Sequence, residues 1–443
     1  MPTKRVVLAE YFTTEDTTLL FIVREDFTEP LIKEIKIPLH DIRQFVTDNF
    51  GTTKGGTTRV KELNVDRWQS EFGQFIEPLL PHTEEGDIIW FVPHDVLHYV
   101  PLHALQVEGR YLIERNPVCY TPSASVMKFC HAKRKGRREK ALVLGDSRND
   151  LLYAYEESLT VAKLFDTQPY VRGQATKTLV KEMLDKERDE FDILHFSCHG
   201  YFRSDQALKS SIVLAPEKNG NGDVGNEEQW NLTAEEIFNL SMNADLVTLS
   251  ACETGVNERK PGDELIGLTR ALIYAGTPSV IVSLWSVDEL STSLLMEHFY
   301  LQLRRPLEEN NGQPVTKAEA LQSAQHYVKN LTAQQVVAYC DQRLEELRQT
   351  EDAERRFGFY KSRANAQLVA GDVQQALTSY QDMQNQLDAL ETEWAKKRST
   401  EVGDILWLLE QKARRATPAI NYGDHPFEDI YHWAPFVLVG DWK

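Results

Sequence analysis

The sequence predicts an α/β protein: a mostly parallel sheet flanked by helices, with a strand-rich N-terminal half and an α-helical hairpin inserted before the last strand. Three observations lead there. From residue 141 to about residue 330, short unbroken apolar runs alternate with helical patterns, as parallel strands buried on both faces require. Between Val6 and Phe129 the pattern is strand-rich, and from Leu331 to Ala416 strands give way to long charged and Gln-rich helical patterns.

Composition sets the limits. The chain has 443 residues, 42% hydrophobic and 26% charged, which suits a globular protein of roughly two to three domains with a substantial core. With 49 Lys and Arg against 67 Asp and Glu, the formal charge of −18 repels a phosphate backbone, so no direct nucleic-acid contact is expected. No run approaches the ~18 consecutive apolar residues of a membrane span. The segment Met1–Glu10 lacks the apolar region of a signal peptide, and a cytoplasmic protein away from the membrane is the expectation. The five cysteines, Cys119, Cys130, Cys198, Cys252 and Cys340, show neither CxxC spacing nor disulfide-scaffold density, and read as reduced thiols with one of them reactive.

In the N-terminal part, residues 1–130, Thr18–Val23 and Asp87–Val92 are apolar or aromatic runs between polar residues and read as strands. Gly51–Thr58 is a Gly/Thr-rich break without the Gly-Lys-Ser/Thr ending of a phosphate loop, and Val60–Glu77 reads as a helix ended by Pro78. The basic run at residues 131–140, interrupted by Gly136, reads as an exposed connector. In the core, residues 141–330, strands are expected at Ala141–Gly145, Phe191–Ser197, Leu246–Ser250 and Ser279–Trp285. Helices are expected near Ala154–Phe165, Ala234–Leu240 and Glu264–Ala275, continued by Thr292–Leu303 and Lys317–Val328. Residues 331–420 form the helical insertion. Within it Ala364–Tyr380 resembles half a tetratricopeptide repeat, and one such unit cannot stack into a solenoid, so a helical hairpin is expected. Residues 421–443 return an apolar strand, within Tyr431–Gly440, to the sheet.

Two core strands end in reactive side chains. Leu194–Gly200 places His199 and Gly200 at a carboxyl strand end, Leu249–Gly255 does the same for Cys252, and sites in open α/β sheets form just outside those ends. The 53 residues from His199 to Cys252 leave room for one crossover, so neighbouring parallel strands bring imidazole and thiol together. A thiol becomes a strong nucleophile once a nearby His lowers its pKa or takes its proton. Gly200 lacks a Cβ and lets a carbonyl approach, so the amides of Gly200 and Cys252 are expected to form an oxyanion hole. His195 lies between Leu194 and Phe196 and reads as packed, and Cys198 points to the face opposite His199. His94, His98 and His103 do not read as a metal site: Pro93 and Pro101 break any single helix, and no Cys or carboxylate set completes the coordination.

Phe91–Leu105, Tyr120–Ser125, Asp192–Gly200, Asp245–Gly255, Gly276–Trp285 and His432–Phe436 together resemble the CHAT family of caspase-like peptidases, which is also similar to separase. The resemblance implies a caspase-like sheet, His199 as general base or ion-pair partner, Cys252 as nucleophile, and peptide-bond hydrolysis through an acyl-enzyme with no metal or organic cofactor. Ser250–Gly255 departs from the caspase signature Gln-Ala-Cys-(Arg/Gln/Gly)-Gly, so aspartate specificity does not follow. The acidic Glu253, Asp263 and Asp288 suit a basic P1 residue or are solvated surface charge. By the resemblance Ser283–Asp288 edges the substrate groove, where an extended peptide adds as a strand and Trp285 either walls a subsite or packs in the core.

The expected function is that of a CHAT-type cysteine endopeptidase cleaving a partner protein, with residues 331–420 as the docking place of an activating protein partner. The resemblance implies a setting in bacterial defence or regulated cell death. Two rivals remain open: a non-catalytic signalling or scaffold module of the same fold, favoured by the insertion and opposed by the His199 and Cys252 pair, and a Cys-dependent amidase or acyltransferase working in a closed pocket.

Overall fold

The apolar runs assemble into one large sheet in the computed structural model, which describes residues 5–50, 60, 63–186, 190–201, 206–217, 224–250, 264–310, 312–350, 352–413 and 419–443. The N-terminal strands are β1 (Val6–Thr13), β2 (Thr18–Val23), β3 (Leu31–Ile35), β4 (Ile88–Val92), β5 (Gln106–Val107), β6 (Arg110–Tyr111) and β7 (Val118–Tyr120). They are followed by β8 (Ala141–Gly145), β9 (Tyr170–Val171), β10 (Ile193–Ser197), β11 (Gly200–Tyr201), β12 (Ser211–Ile212), β13 (Leu232–Thr233), β14 (Leu246–Leu249), β15 (Ser279–Ser283) and β16 (Phe436–Gly440).

Eleven of these form the main sheet in the order β3-β2-β1-β4-β7-β16-β15-β14-β10-β8-β9. Its pairings are parallel except at β1 with β2, β2 with β3, and β15 with β16. Every residue of β8, β10, β14 and β15 is buried, which is why these strands read as unbroken apolar runs. The helix Leu152–Leu164 packs on β8 and β10, and Glu264–Ala275 packs on β15. Because β8, β10, β14 and β15 run parallel, the loops after Gly145, Ser197, Leu249 and Ser283 leave the same edge of the sheet. A small sheet of β11, β12 and β13 begins immediately after β10.

The helix expected over Val60–Glu77 is shorter. It runs over Val65–Phe72, where the Asn64 side chain caps it by accepting from the Arg67 amide, and then breaks into 3-10 turns at Gly73–Phe75 and Glu77–His82. Pro78 and Pro81 lie within the second turn, and proline cannot sustain a longer helix there. The strand expected within Tyr431–Gly440 begins only at Phe436, after the helical turn Ile430–Trp433 and Pro435.

The basic run at residues 131–140 is a mostly exposed connector, but its three arginines are not solvated freely. His131–Lys133 closes the helix Ala124–Lys133, and the arginines beyond it dock on acidic residues at the opposite edge of the sheet from the loops just described. Arg134 grips Asp441 with Nε and Nη2 at 2.6 and 2.5 Å, Arg137 Nε lies 3.0 Å from Asp192 Oδ1, and Arg138 Nε lies 3.5 Å from Asp245 Oδ2. Asp192 and Asp245 immediately precede β10 and β14, and Asp441 immediately follows the antiparallel β16. A charge run looks solvated in sequence, but its fate depends on whether buried carboxylates await it.

The chain divides into two compact units, residues 1–327 with 430–443, and residues 328–429. Among the described residues the second contains not a single hairpin but four helices, Ala333–Glu346, Ala353–Val369, Val373–Asp388 and Glu393–Ala413, each packed against the next. Val373, Leu377, Tyr380, Met383 and Leu387 supply one face of its core. Gly371, at φ +80°, makes the left-handed turn between two of these helices, and Asp372 caps the following one by accepting from the Gln375 amide.

Candidate active site

The carboxyl edge of the sheet gathers the polar loops. His199 follows β10 by two residues, its carbonyl accepts the Val213 amide at 2.8 Å, and Gly200 is buried opposite Ile212 at the start of β11. The β10–β14 ladder continues one step further, with the Ser250 amide donating to the Phe196 carbonyl at 2.9 Å. Cys252, Glu253 and Asp263 belong to 251–263 and lie outside the described residues. The sequence argument that His199 and Cys252 leave adjacent parallel strands is matched as far as Ser250 by the pairing of β10 with β14.

His199 is held by a residue that the sequence reading passed over. Its Nε2 lies 2.9 Å from Asp150 Oδ1, with the imidazole 15% and the carboxylate 57% exposed. Its Nδ1 is buried and has no hydrogen-bond partner among the described residues. Asp150 sits in the loop after β8, the strand whose Gly145 pairs with Ser197. Asp146 builds that loop. Its amide donates to the Ser197 carbonyl at 2.9 Å, and its Oδ1 accepts the amides of Asp150 and Leu151 at 2.9 and 3.0 Å. Arg172 Nε donates to the other oxygen, Oδ2, at 3.2 Å. Burial pushes the Asp146 carboxyl above the usual range although those amides and Arg172 favour its charged form. Asp146 and Asn149 both have left-handed backbones, at φ +47° and +58°, a conformation that Asp and Asn tolerate better than other side-chain-bearing residues. On the flank of the loop Ser147 Oγ donates to the Val213 carbonyl at 2.7 Å, and the Arg148 guanidinium stacks 4.5 Å from the Trp230 ring. The signal was present in the sequence: Asp146-Ser-Arg-Asn-Asp150 is a polar run directly after a core strand, the same position that singled out His199.

The other nearby residues take structural roles. His195 is fully buried, with Nδ1 3.1 Å from the Tyr300 hydroxyl and Nε2 2.9 Å from Glu157 Oε1, a contact outside hydrogen-bond alignment. Tyr300 in turn donates to Thr248 Oγ1 at 2.8 Å, so this group bridges β10 and β14 beneath the loops. Burial pushes the Cys198 thiol up to about 12, which leaves it inert at neutral pH.

The expected substrate edge at Ser283–Asp288 is largely occupied by the protein itself. Ser283 pairs with Phe436 of β16, and the Leu284 amide donates to the Pro435 carbonyl at 2.7 Å, so at these positions β16 takes the place where a peptide would add. Trp285 is 1% exposed, stacks on Phe50 at 5.9 Å and donates from Nε1 to the Tyr431 carbonyl, which makes it a core residue. Asp288 caps the helix Glu289–Leu303 through its Oδ1, which accepts the Ser291 amide at 2.9 Å.

His94, His98 and His103 do not converge. Thr13 donates its amide to His94 Nδ1 at 3.2 Å, while His103 bridges the Tyr120 hydroxyl and the Ala434 carbonyl. Among the described residues no group of three or more His, Cys, Asp or Glu is placed to hold a metal ion, and no helix is long and apolar enough to cross a membrane.

Comparison with known proteins adds the family. Tetratricopeptide repeat protein 28 of Mus musculus is 25% identical over 258 residues, which is 47% of this chain and 10% of that protein. The Homo sapiens protein of the same name is 24% identical over 243 residues, 46% of this chain and 9% of that one. The chain thus spans about a tenth of the length of these curated relatives. Among solved structures, the Saccharomyces cerevisiae separase–securin complex overlaps 61% of this chain and 17% of that chain at 14% identity and a TM-score of 0.36. The Arg-specific cysteine proteinase gingipain R overlaps 65% of this chain and 68% of that chain at 9% identity and a TM-score of 0.36. The CHAT domain model matches residues 72–441, a span that contains β4, β7, every core strand and both ends of the loop system around His199, and the chain therefore belongs to the CHAT domain family.

Proposed function

We propose that this chain is a cysteine endopeptidase that cleaves a partner protein through His199 and Cys252. The observation that carries the reading is the state of His199: one ring nitrogen is tied to a carboxylate, and the other is buried with no partner among the described residues. An unpaired buried nitrogen costs stability unless something uses it. The β14 strand beside His199 leads within three residues to Cys252, and CHAT membership favours the same pair. In the proposed reaction the imidazole takes the Cys252 proton, the thiolate attacks the peptide carbonyl, and His199 protonates the leaving amine. Water then attacks the acyl-enzyme and restores the thiol. The amides of Gly200 and Cys252 steady the oxyanion. Glu253 takes part in holding the substrate, the helical insertion at residues 331–420 receives an activating protein, and the setting is a defence or cell-death circuit.

The test is covalent labelling by a mixture of peptidyl acyloxymethyl ketones, read by mass spectrometry on wild type, Cys252→Ala and His199→Ala. Selective labelling of Cys252 that drops without His199 is expected. Labelling indifferent to His199 sinks the reading. A non-catalytic interaction module is the second reading, favoured by the four-helix unit and by similarity to a protein named for its tetratricopeptide repeats. On that reading the ketones leave Cys252 untouched under every condition.

A further inference from the structure

We infer that Asp150 is a positioning residue for His199, holding the imidazole with its proton on Nε2 and its Nδ1 lone pair turned to the enclosed side. The catalytic consequence rests on the peptidase reading above, whereas the pairing rests on geometry alone. A carboxylate only accepts hydrogen bonds, so the 2.9 Å contact from His199 Nε2 to Asp150 Oδ1 requires the proton to be on Nε2. In a neutral imidazole that leaves Nδ1 as the acceptor. Nδ1 is the atom that the fold buries and leaves unpaired among the described residues. The ring thus presents a free base on one side and a fixed anchor on the other, the arrangement that a proton-transfer step needs.

The anchor is itself built. Asp150 is not a side chain that happens to drift against a histidine: its amide is bonded to Asp146 Oδ1 at 2.9 Å, and Asp146 is tied to the Ser197 carbonyl, the Leu151 amide and Arg172. Asp146 is 1% exposed, so this bracket is part of the core, and Arg172 is braced in turn 4.5 Å from the Tyr155 ring. Asp150 therefore stands at the end of a relay, Arg172 to Asp146 to the loop to His199, which carries the rigidity of β8 to an imidazole on the neighbouring strand. A contact whose carboxylate is 57% exposed contributes little to folding, so this bracket is out of proportion to any gain in stability. It is in proportion to orienting a base, where a displacement of about 1 Å changes rates by roughly 10²-fold.

The experiment uses the full chain in a Cys252→Ala background, labelled with ¹⁵N-histidine, with the His199 signals assigned by their loss in His199→Gln. Long-range proton–nitrogen correlation reads which ring nitrogen carries the proton, whether or not the protein is an active enzyme. The Nε2–H form is expected, weakened in Asp150→Ala and retained in Asp150→Glu. An unchanged tautomer in Asp150→Ala, or an Nδ1–H form at the outset, overturns the inference. Ketone labelling of Cys252 in otherwise wild-type chains gives the second readout. Asp150→Ala is expected to lower the maximal labelling rate about 10²-fold with probe affinity unchanged, and Asp150→Glu to recover part of it. Equal rates in wild type and Asp150→Ala remove the positioning role. A tautomer shift on Asp150→Ala in a chain whose Cys252 never labels defeats the peptidase reading and upholds the pairing.

Discussion

Lys317 and Asp245 meet out of reach of solvent: Nζ lies 2.8 Å from Oδ2, and both side chains are 0% exposed. Asp441 Oδ2 lies 3.6 Å from the same ammonium, also fully buried. Burial pushes the lysine below its ordinary range, against the pull of these carboxylates. The pair joins the start of the helix Lys317–Lys329 to the turns beside β14 and β16, on the edge of the sheet opposite His199.

Removing one partner strands the other. Lys317→Ala is expected to destabilise the chain by about 3–5 kcal/mol, as broken buried pairs do. Removing the exposed Arg67–Glu71 pair is expected to leave stability almost unchanged, because solvent screens it. Urea unfolding of both variants checks this, and equal costs refute the burial argument.

Buried histidine gives stability a pH dependence. Burial lowers His103 from the ordinary 6.5 to about 4, while Nε2–H donates to the Ala434 carbonyl and Nδ1 accepts from Tyr120. The unfolded chain therefore binds the proton first as pH falls, so this contribution is intact above about pH 6.5 and is lost progressively toward pH 4, by on the order of 3 kcal/mol. His103→Gln lacks the titrating group, and the stability gap between it and wild type is expected to narrow over that window. A constant gap between pH 7 and pH 4 counts against the assignment.

Native thiol chemistry is expected to single out one cysteine. Cys119, Cys130, Cys198 and Cys340 are all buried, and burial raises each thiol, to about 12 for the last three. Iodoacetamide applied to the folded chain at pH 8 should therefore leave these four unmodified while the denatured chain reacts at all of them. Peptide mass mapping reads the result, and early modification of any of the four contradicts their packing.

Trp285 offers a direct choice between core and subsite. As a core residue stacked on Phe50, its replacement by Ala is expected to cost about 3–5 kcal/mol. Trp285→Phe is expected to keep the wild-type preference among ketone peptides. Undiminished stability together with altered peptide preference would restore the subsite role.

The parts of the fold legible in the sequence are those whose signal is local. Thr18–Val23, Ala141–Gly145 and the helix Glu264–Ala275 occur where their patterns placed them, because an apolar run of strand length or a helical stripe is already a statement about burial. The two-residue strand β9 and the mostly exposed edge strand β3 carry no such pattern and were not anticipated. The candidate site divides in the same way. His199 was legible as a polar residue at a strand end, whereas Asp150 became visible only beside it, since the two are 49 residues apart and meet through the register of β8 and β10.

By itself the sequence determined the α/β class, the position of His199 beyond a core strand, and the family phrases that run through the chain. Each depends on hydrophobic period or on short contiguous motifs, which neighbouring residues specify without help. The tertiary structure alone decided that the arginines of 131–140 dock on buried aspartates, that β16 fills the side of β15 next to Ser283, and that His199 is anchored by Asp150. These depend on which distant groups share a desolvated space. The free energy of a charge or a hydrogen bond is set by that space, and one stretch of sequence does not contain it.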